Sequence, residues 1–163
     1  MSSLADAFKV LNELKAAGVV GDYAVAGAMA LVFWTEPVAT FDLDVLVTLD
    51  PPATGLVSLE SIYRWAEQRG YSLQAEHILI EGMPTQIVPS PDALADEAVA
   101  SAAELDYQGV TVRVVRPEYL IALYLHPHAS TAKRRERAAA LLDSPRLNRA
   151  LLDEILKRHG LSL

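Results

Sequence analysis

Cysteine is absent from the 163 residues, which excludes disulfides and thiolate metal sites and makes a reducing cytoplasm the expected compartment. No apolar run approaches the roughly 20 residues that a membrane-crossing helix needs. The opening Met-Ser-Ser-Leu-Ala-Asp has neither the basic stretch nor the long apolar segment of a signal peptide. A membrane is therefore not an expected partner. Several enzyme templates are also missing. There is no Gly-x-Ser-x-Gly elbow, no Walker A loop, no His-Glu-x-x-His and no cysteine nucleophile. Internal repeats and low-complexity segments are lacking too. What is present is an ordinary globular balance, 52% apolar and 21% charged.

The net charge of −7 is unevenly distributed. Residues 129–163 hold eight Lys/Arg against four acids, a surplus of four positive charges that leaves −11 on residues 1–128. Overall acidity argues against extended, nonspecific DNA binding. The basic tail still suits a local contact with a phosphate or an RNA end.

Hydrophobic spacing predicts a mixed α/β sheet followed by helices. Ser3 and Asp6 form a capping-box pattern before Leu4, Phe8, Leu11 and Leu14, and Gly18 and Gly21 close that helix. A short strand over 23–25 runs into Ala26-Gly27, then an apolar helix over 28–34. A strand over 41–48, a helix over 58–69, and two strands over 71–80 and 84–88 follow. A helix over 92–103 and a last strand over 110–115 complete the α/β part. Three helices are expected beyond it: one opened by Pro117-Glu118, one over 129–142, and one capped by Ser144-Pro145. The expected organisation is a single domain, 1–163, with an α/β core to about residue 116 and a helical C-terminal part packed on it.

The strand Phe41-Asp42-Leu43-Asp44-Val45-Leu46-Val47-Thr48 is the informative one. Side chains alternate along a strand, so Asp42 and Asp44 share a face opposite Leu43, Val45 and Val47. Two carboxylates together on an apolar element repel and cost desolvation unless a cation sits between them. A divalent metal removes that cost. Upstream, Ala26-Gly27 joins a strand to a helix start, where backbone can approach a ligand and N–H groups face an anion. A phosphate cradle plus metal-binding acids is the minimum for handling a nucleoside triphosphate.

This combination resembles the nucleotidyltransferase superfamily, in particular small bacterial proteins related to AbiEii-type toxins. The family's Gly-Gly or Gly-Ser turn, helix, and Asp-x-Asp strand preceded by Thr match Ala26-Gly27-Ala28-Met29-Ala30 and Thr40-Phe41-Asp42-Leu43-Asp44. The run Val112 to Tyr124 is similar to the family's strand followed by a Pro-Glu-x-Leu helix. The resemblance covers about two-thirds of the chain and implies a nucleotidyltransferase-like mixed sheet flanked by helices. It implies that Asp42 and Asp44 hold catalytic Mg²⁺ (or Mn²⁺) and that Gly27 and its neighbours hold the triphosphate. The implied partners are a nucleoside triphosphate, an RNA, protein or small-molecule acceptor, and an antitoxin-like protein. Four positions depart from the pattern. Gln86 stands where a third carboxylate would activate the acceptor, and an amide cannot act as a base. Ala26 replaces the turn's first glycine, Val38 a basic residue, and Tyr124 a lysine. These departures keep a second function class open, a nucleotide- or partner-binding module without catalysis.

Blander readings stand beside these. Asp42 and Asp44 alone read as a hydrated strand end, and Ala26-Gly27 as a tight junction. Lys133, Arg134, Arg135 and Arg137 read first as a solvated helix face, although Lys133 and Arg137 at i and i+4 could reach a phosphate. Glu81, at a turn, could supply the missing acid but reads as solvated. Glu118 suits a helix start through the dipole, His126-Pro127-His128 reads as a helix-end loop, and Trp34 and Trp65 read as core.

Overall fold

Ser3 opens the first helix as predicted. In the computed structural model, which describes residues 3–35, 42–49, 59–127 and 131–163, the Asp6 N–H donates to Ser3 Oγ (3.2 Å) and the Ser3 N–H to Asp6 Oδ2 (3.1 Å). This reciprocal pair satisfies two donors at the start of α1 (Leu4–Ala16). Phe8, Leu11 and Leu14 along its apolar stripe are buried.

The chain continues through β1 (Asp22–Ala26), α2 (Gly27–Trp34), β2 (Leu43–Thr48), α3 (Glu60–Gln68), β3 (Leu73–Gln74), β4 (His77–Ile80) and β5 (Met83–Pro89). After these come α4 (Ala93–Ala100), β6 (Ala103–Tyr107), β7 (Val110–Val114), α5 (Pro117–Leu125), α6 (Ala132–Leu142) and α7 (Arg149–Arg158). The described strands make one sheet in the order β3-β4-β5-β2-β1-β7-β6. Pairs β2–β5 and β1–β7 are parallel, and the other four neighbouring pairs are antiparallel. The expected mixed α/β architecture with C-terminal helices is present.

Central β1 buries Tyr23, Ala24 and Val25 in succession, so both its faces are covered. Leu120, Leu141, Leu152 and Ile155 of the C-terminal helices join the same buried cluster as the sheet. Trp34 ties α2 into this region, its indole Nε1 donating to the Val115 carbonyl at 2.8 Å. Trp65 is only partly buried, with the Arg69 guanidinium 4.6 Å from its ring centre. Among the described residues no helix is long and apolar enough to cross a membrane.

Three elements differ from the sequence expectation. The run over 71–80 is two strands, because Ala75 takes a left-handed conformation (φ +55°) and folds β3 back on β4, Leu73 opposite Ile78. No glycine or Asn-Gly pair announces that turn. The helix expected over 92–103 stops at Ala100, and Ala103 to Tyr107 instead pairs with β7 through Gln108-Gly109, both at positive φ (+51° and +84°). The third C-terminal helix is capped not by Ser144-Pro145 but by Asn148, whose side chain accepts the Leu151 N–H at 3.1 Å. Ser144 Oγ donates instead to the Trp34 carbonyl at 2.8 Å. Each side chain went to the partner that tertiary packing placed nearest.

Candidate functional site

The junction between β1 and α2 decides the site's geometry. Ala26 is extended and caps α2 with no side-chain hydrogen bond, and the first turn carries no acid. The helix therefore begins with N–H donors that no side chain of its own cap covers. Gly27 follows at φ +59°. A Cβ at Gly27 would lie 3.1 Å from both Cβ and Cγ of Asp44, and closer still to Oδ2. Glycine is needed twice over here, for the left-handed backbone and for room beside the carboxylate.

Strand register brings the next residues in. Ala26 is paired with Asp44 across β1 and β2, and Asp44 with Gln86 across β2 and β5. Alternation puts Leu46 and Val88, also paired, on the same face two residues along. Asp44 is half-buried, whereas Asp42 precedes β2 and is exposed. Burial, and then the neighbouring Asp42, hold the Asp44 carboxyl above its ordinary range. His77, Arg134 and Arg137 pull it the other way. An acid in this position favours a cation that would neutralise it and offset the repulsion.

These residues open onto a cavity of about 630 Å³, lined by Ala26, Gly27, Asp44 and Gln86 on one side and Tyr124, Arg134 and Arg137 on another. Leu46, Val88, Ala95, Leu120 and Leu123 supply its apolar walls. The volume falls within the range of about 300–1,000 Å³ that small-molecule pockets occupy. Tyr124 is 5% exposed. Burial raises its phenol pKa, against the opposing pull of Arg137 and Arg134. The Arg134 guanidinium lies 6.0 Å from the ring centre.

The structure therefore gathers Ala26, Gly27, Asp44, Gln86 and Arg137 around one space, with Asp42 close enough to act on Asp44 electrostatically. Lys133 is exposed and does not line the cavity. Arg134 does, because the helix phase turns i and i+3 of this pair inward rather than i and i+4. Thr40, Val38 and His128 lie outside the described residues. Glu81 sits at a turn (φ +50°), where Tyr71 Oη donates to its carboxylate at 2.8 Å.

Four polar lining residues, Asp92, Tyr124, His126 and Arg134, were not read as site residues from the sequence. Asp92 caps α4, its Oδ1 accepting the Ala95 N–H at 2.9 Å, and its Oδ2 lies 3.5 Å from His126 Nε2. Both line the cavity. Ser-Pro-Asp before an alanine-rich run signals a helix cap, but nothing local signals its facing His126. Among the described residues no three His, Asp or Glu side chains cluster as a ready metal centre. The oxygen donors on hand are Asp42, Asp44 and the Gln86 amide, a set suited to a hard cation that takes further ligands from a phosphate.

No family model and no curated protein matches the sequence. Solved structures do resemble it. A crystal structure of ANT(2'')-Ia in complex with adenylyl-2''-tobramycin is 14% identical over 92% of each chain, with a TM-score of 0.53. A solution structure of the antibiotic-resistance factor ANT(2'')-Ia is 13% identical over 96% of this chain and 90% of that one, with a TM-score of 0.53. An antigenic nucleotidyltransferase-like protein from Paracoccidioides brasiliensis is 13% identical over 98% and 91% of the two chains, with a TM-score of 0.52. At such identities the likeness speaks for the fold: this chain has a nucleotidyltransferase-like fold.

Proposed function

We propose that this chain is a Mg²⁺- or Mn²⁺-dependent nucleotidyltransferase, transferring a nucleoside monophosphate from a nucleoside triphosphate to a hydroxyl or phosphate acceptor. The supporting observation is Asp44, held in register between Ala26 and Gln86 with Gly27 against it and Arg134 and Arg137 lining the same cavity. The metal fits the donor set, because the carboxylates of Asp42 and Asp44 and the Gln86 amide oxygen beside Asp44 are hard oxygen ligands of the kind Mg²⁺ and Mn²⁺ take. Asp42 and Asp44 would hold it, and when bound it stabilises charge developing on the phosphoryl oxygens. The start of α2 presents N–H donors to the β- and γ-phosphates. Arg137 and Arg134 neutralise the triphosphate from α6. In the transfer, the acceptor oxygen bonds to the α-phosphorus, the bond from that phosphorus to the bridging oxygen breaks, pyrophosphate leaves, and the proton of a hydroxyl acceptor passes to water or to the pyrophosphate. The two arginines stabilise the departing charge. RNA, protein and small molecules such as an aminoglycoside are the acceptor classes to test.

One observation favours a second reading. Gln86 occupies the register position beside Asp44, and its amide cannot take the acceptor's proton. The same cavity would then serve a nucleotide-binding or partner-binding module. The AbiEii-type toxin role and an antitoxin-like partner belong to the enzymatic reading, with toxicity on expression abolished by Asp44→Asn as their test.

The deciding experiment incubates each labelled NTP with Mg²⁺ or Mn²⁺ and cell RNA, cell protein or an aminoglycoside, comparing the natural sequence with Asp42→Asn/Asp44→Asn. Label transfer lost in the double variant supports the enzyme. Metal-dependent NTP binding without transfer, together with transfer gained by Gln86→Asp, supports the binding module. Neither binding nor transfer sinks both readings, and transfer that survives the double variant sinks the site assignment.

A further inference from the structure

Tyr124 carries a buried hydroxyl whose proton no acceptor among the described residues takes. Its side chain is 5% exposed, and among the described residues its buried Oη has no hydrogen-bond partner. The ring nonetheless lines the cavity that holds Asp44, Gln86, Arg134 and Arg137. A buried, unsatisfied hydroxyl is costly, and most such groups in native proteins have a partner. The charged groups that act on it are Arg134 and Arg137 on α6, which only donate, and Asp44 across the cavity, which makes no hydrogen bond to it. The phenol proton is therefore left needing an acceptor that Arg134 and Arg137 cannot provide.

We propose that the Tyr124 hydroxyl is a ligand-binding donor, reserved for an anionic phosphate oxygen of the nucleotide that enters between it, Arg134 and Arg137. This rests on the nucleotide-binding reading above and adds a named neutral donor to the cationic ones. A phosphate oxygen at this point satisfies three demands together: the two guanidinium charges and the phenol proton. The aromatic ring holds the donor rigidly, because Tyr124 is packed into α5 with Arg134 over its face. A flexible ammonium group in its place would have to be ordered on binding.

The test is Tyr124→Phe in the full chain, which keeps the ring and removes only the hydroxyl. Two quantities are read: the melting temperature without ligand, and the affinity for each NTP with Mg²⁺ and for inorganic pyrophosphate alone. The expected result is an unliganded melting temperature unchanged or raised, with phosphate-ligand affinity about tenfold weaker, as for loss of one hydrogen bond to a charged group. A lowered melting temperature with affinity intact, or a variant that does not fold, would show that the hydroxyl serves the fold and overturn the proposal. Unchanged affinity and unchanged melting temperature would overturn it as well. If the natural sequence binds pyrophosphate but no NTP, and Tyr124→Phe weakens that binding, the donor role stands and the nucleotide reading falls.

Discussion

Replacing Gly27 with alanine perturbs the one point where backbone conformation and site chemistry meet. Two costs add. The residue sits at φ +59°, where an L side chain costs about 1–2 kcal/mol. The new Cβ would also crowd Asp44, 3.1 Å from its Cβ and Cγ, and overpacking of that kind costs about 1–3 kcal/mol. Together these predict a loss of about 2–5 kcal/mol. For a chain of this size, at about 2–4 °C per kcal/mol, the melting temperature should fall by roughly 4–20 °C. The two parts separate in a double-mutant cycle. Asp44→Ala removes Cγ and both oxygens, so Gly27→Ala should cost less in that background by about 1–2 kcal/mol while the backbone cost persists. Thermal and urea melts of the four proteins measure this, and metal-dependent NTP binding should be lost in both single variants. A Gly27→Ala protein that melts within 2 °C of the natural one (less than about 1 kcal/mol), with no coupling to position 44, would refute the close approach of α2 and β2.

Glu118 is buried at the start of α5, and burial raises its carboxyl more than Arg116 and the backbone N–H groups of Glu118 and Asn148 lower it. The folded state thus favours the neutral acid, so this group's contribution is complete below the ordinary carboxylate range and is lost as pH rises through the folded value. Glu118→Gln should melt higher than the natural sequence at pH 8, with the difference closing toward pH 4; a constant difference would count against this. In α6, Arg134→Ala and Arg137→Ala should each weaken NTP binding severalfold with little change in melting temperature, whereas Lys133→Ala should do neither; titration calorimetry on the three variants checks the helix phase. Trp34→Phe leaves the buried Val115 carbonyl without its 2.8 Å donor and should cost about 1–3 kcal/mol, seen as a lower urea midpoint.

Local signals made part of the fold legible. The Ser3–Asp6 capping box, the strand–glycine–helix junction at Gly27, the strand bearing Asp44 and the proline at the start of α5 each depend on residues within one or two turns of each other. Elements that depend on a distant partner were not legible. Ala103-Glu104-Leu105-Asp106-Tyr107 alternates apolar and acidic residues, but its first residue reads as a helix end and the rest as connection until β7 is there to pair with it. The turn at Ala75 is left-handed without a glycine to announce it, and it shows only in the pairing of β3 with β4.

The candidate site divides along the same line. Sequence alone determined that two aspartates stand beside an apolar strand, that a glycine starts a helix upstream, and that basic residues collect in the last third of the chain. These are facts of spacing. Only the tertiary structure decided that Ala26, Asp44 and Gln86 lie side by side, because register is set by pairing between strands far apart in the chain. It also decided that Arg134 rather than Lys133 faces the cavity, that Asp92 meets His126 there, and that Tyr124 brings in a hydroxyl with no hydrogen-bond partner among the described residues. Helical phase and burial are properties of the packed chain, and no local pattern carries them.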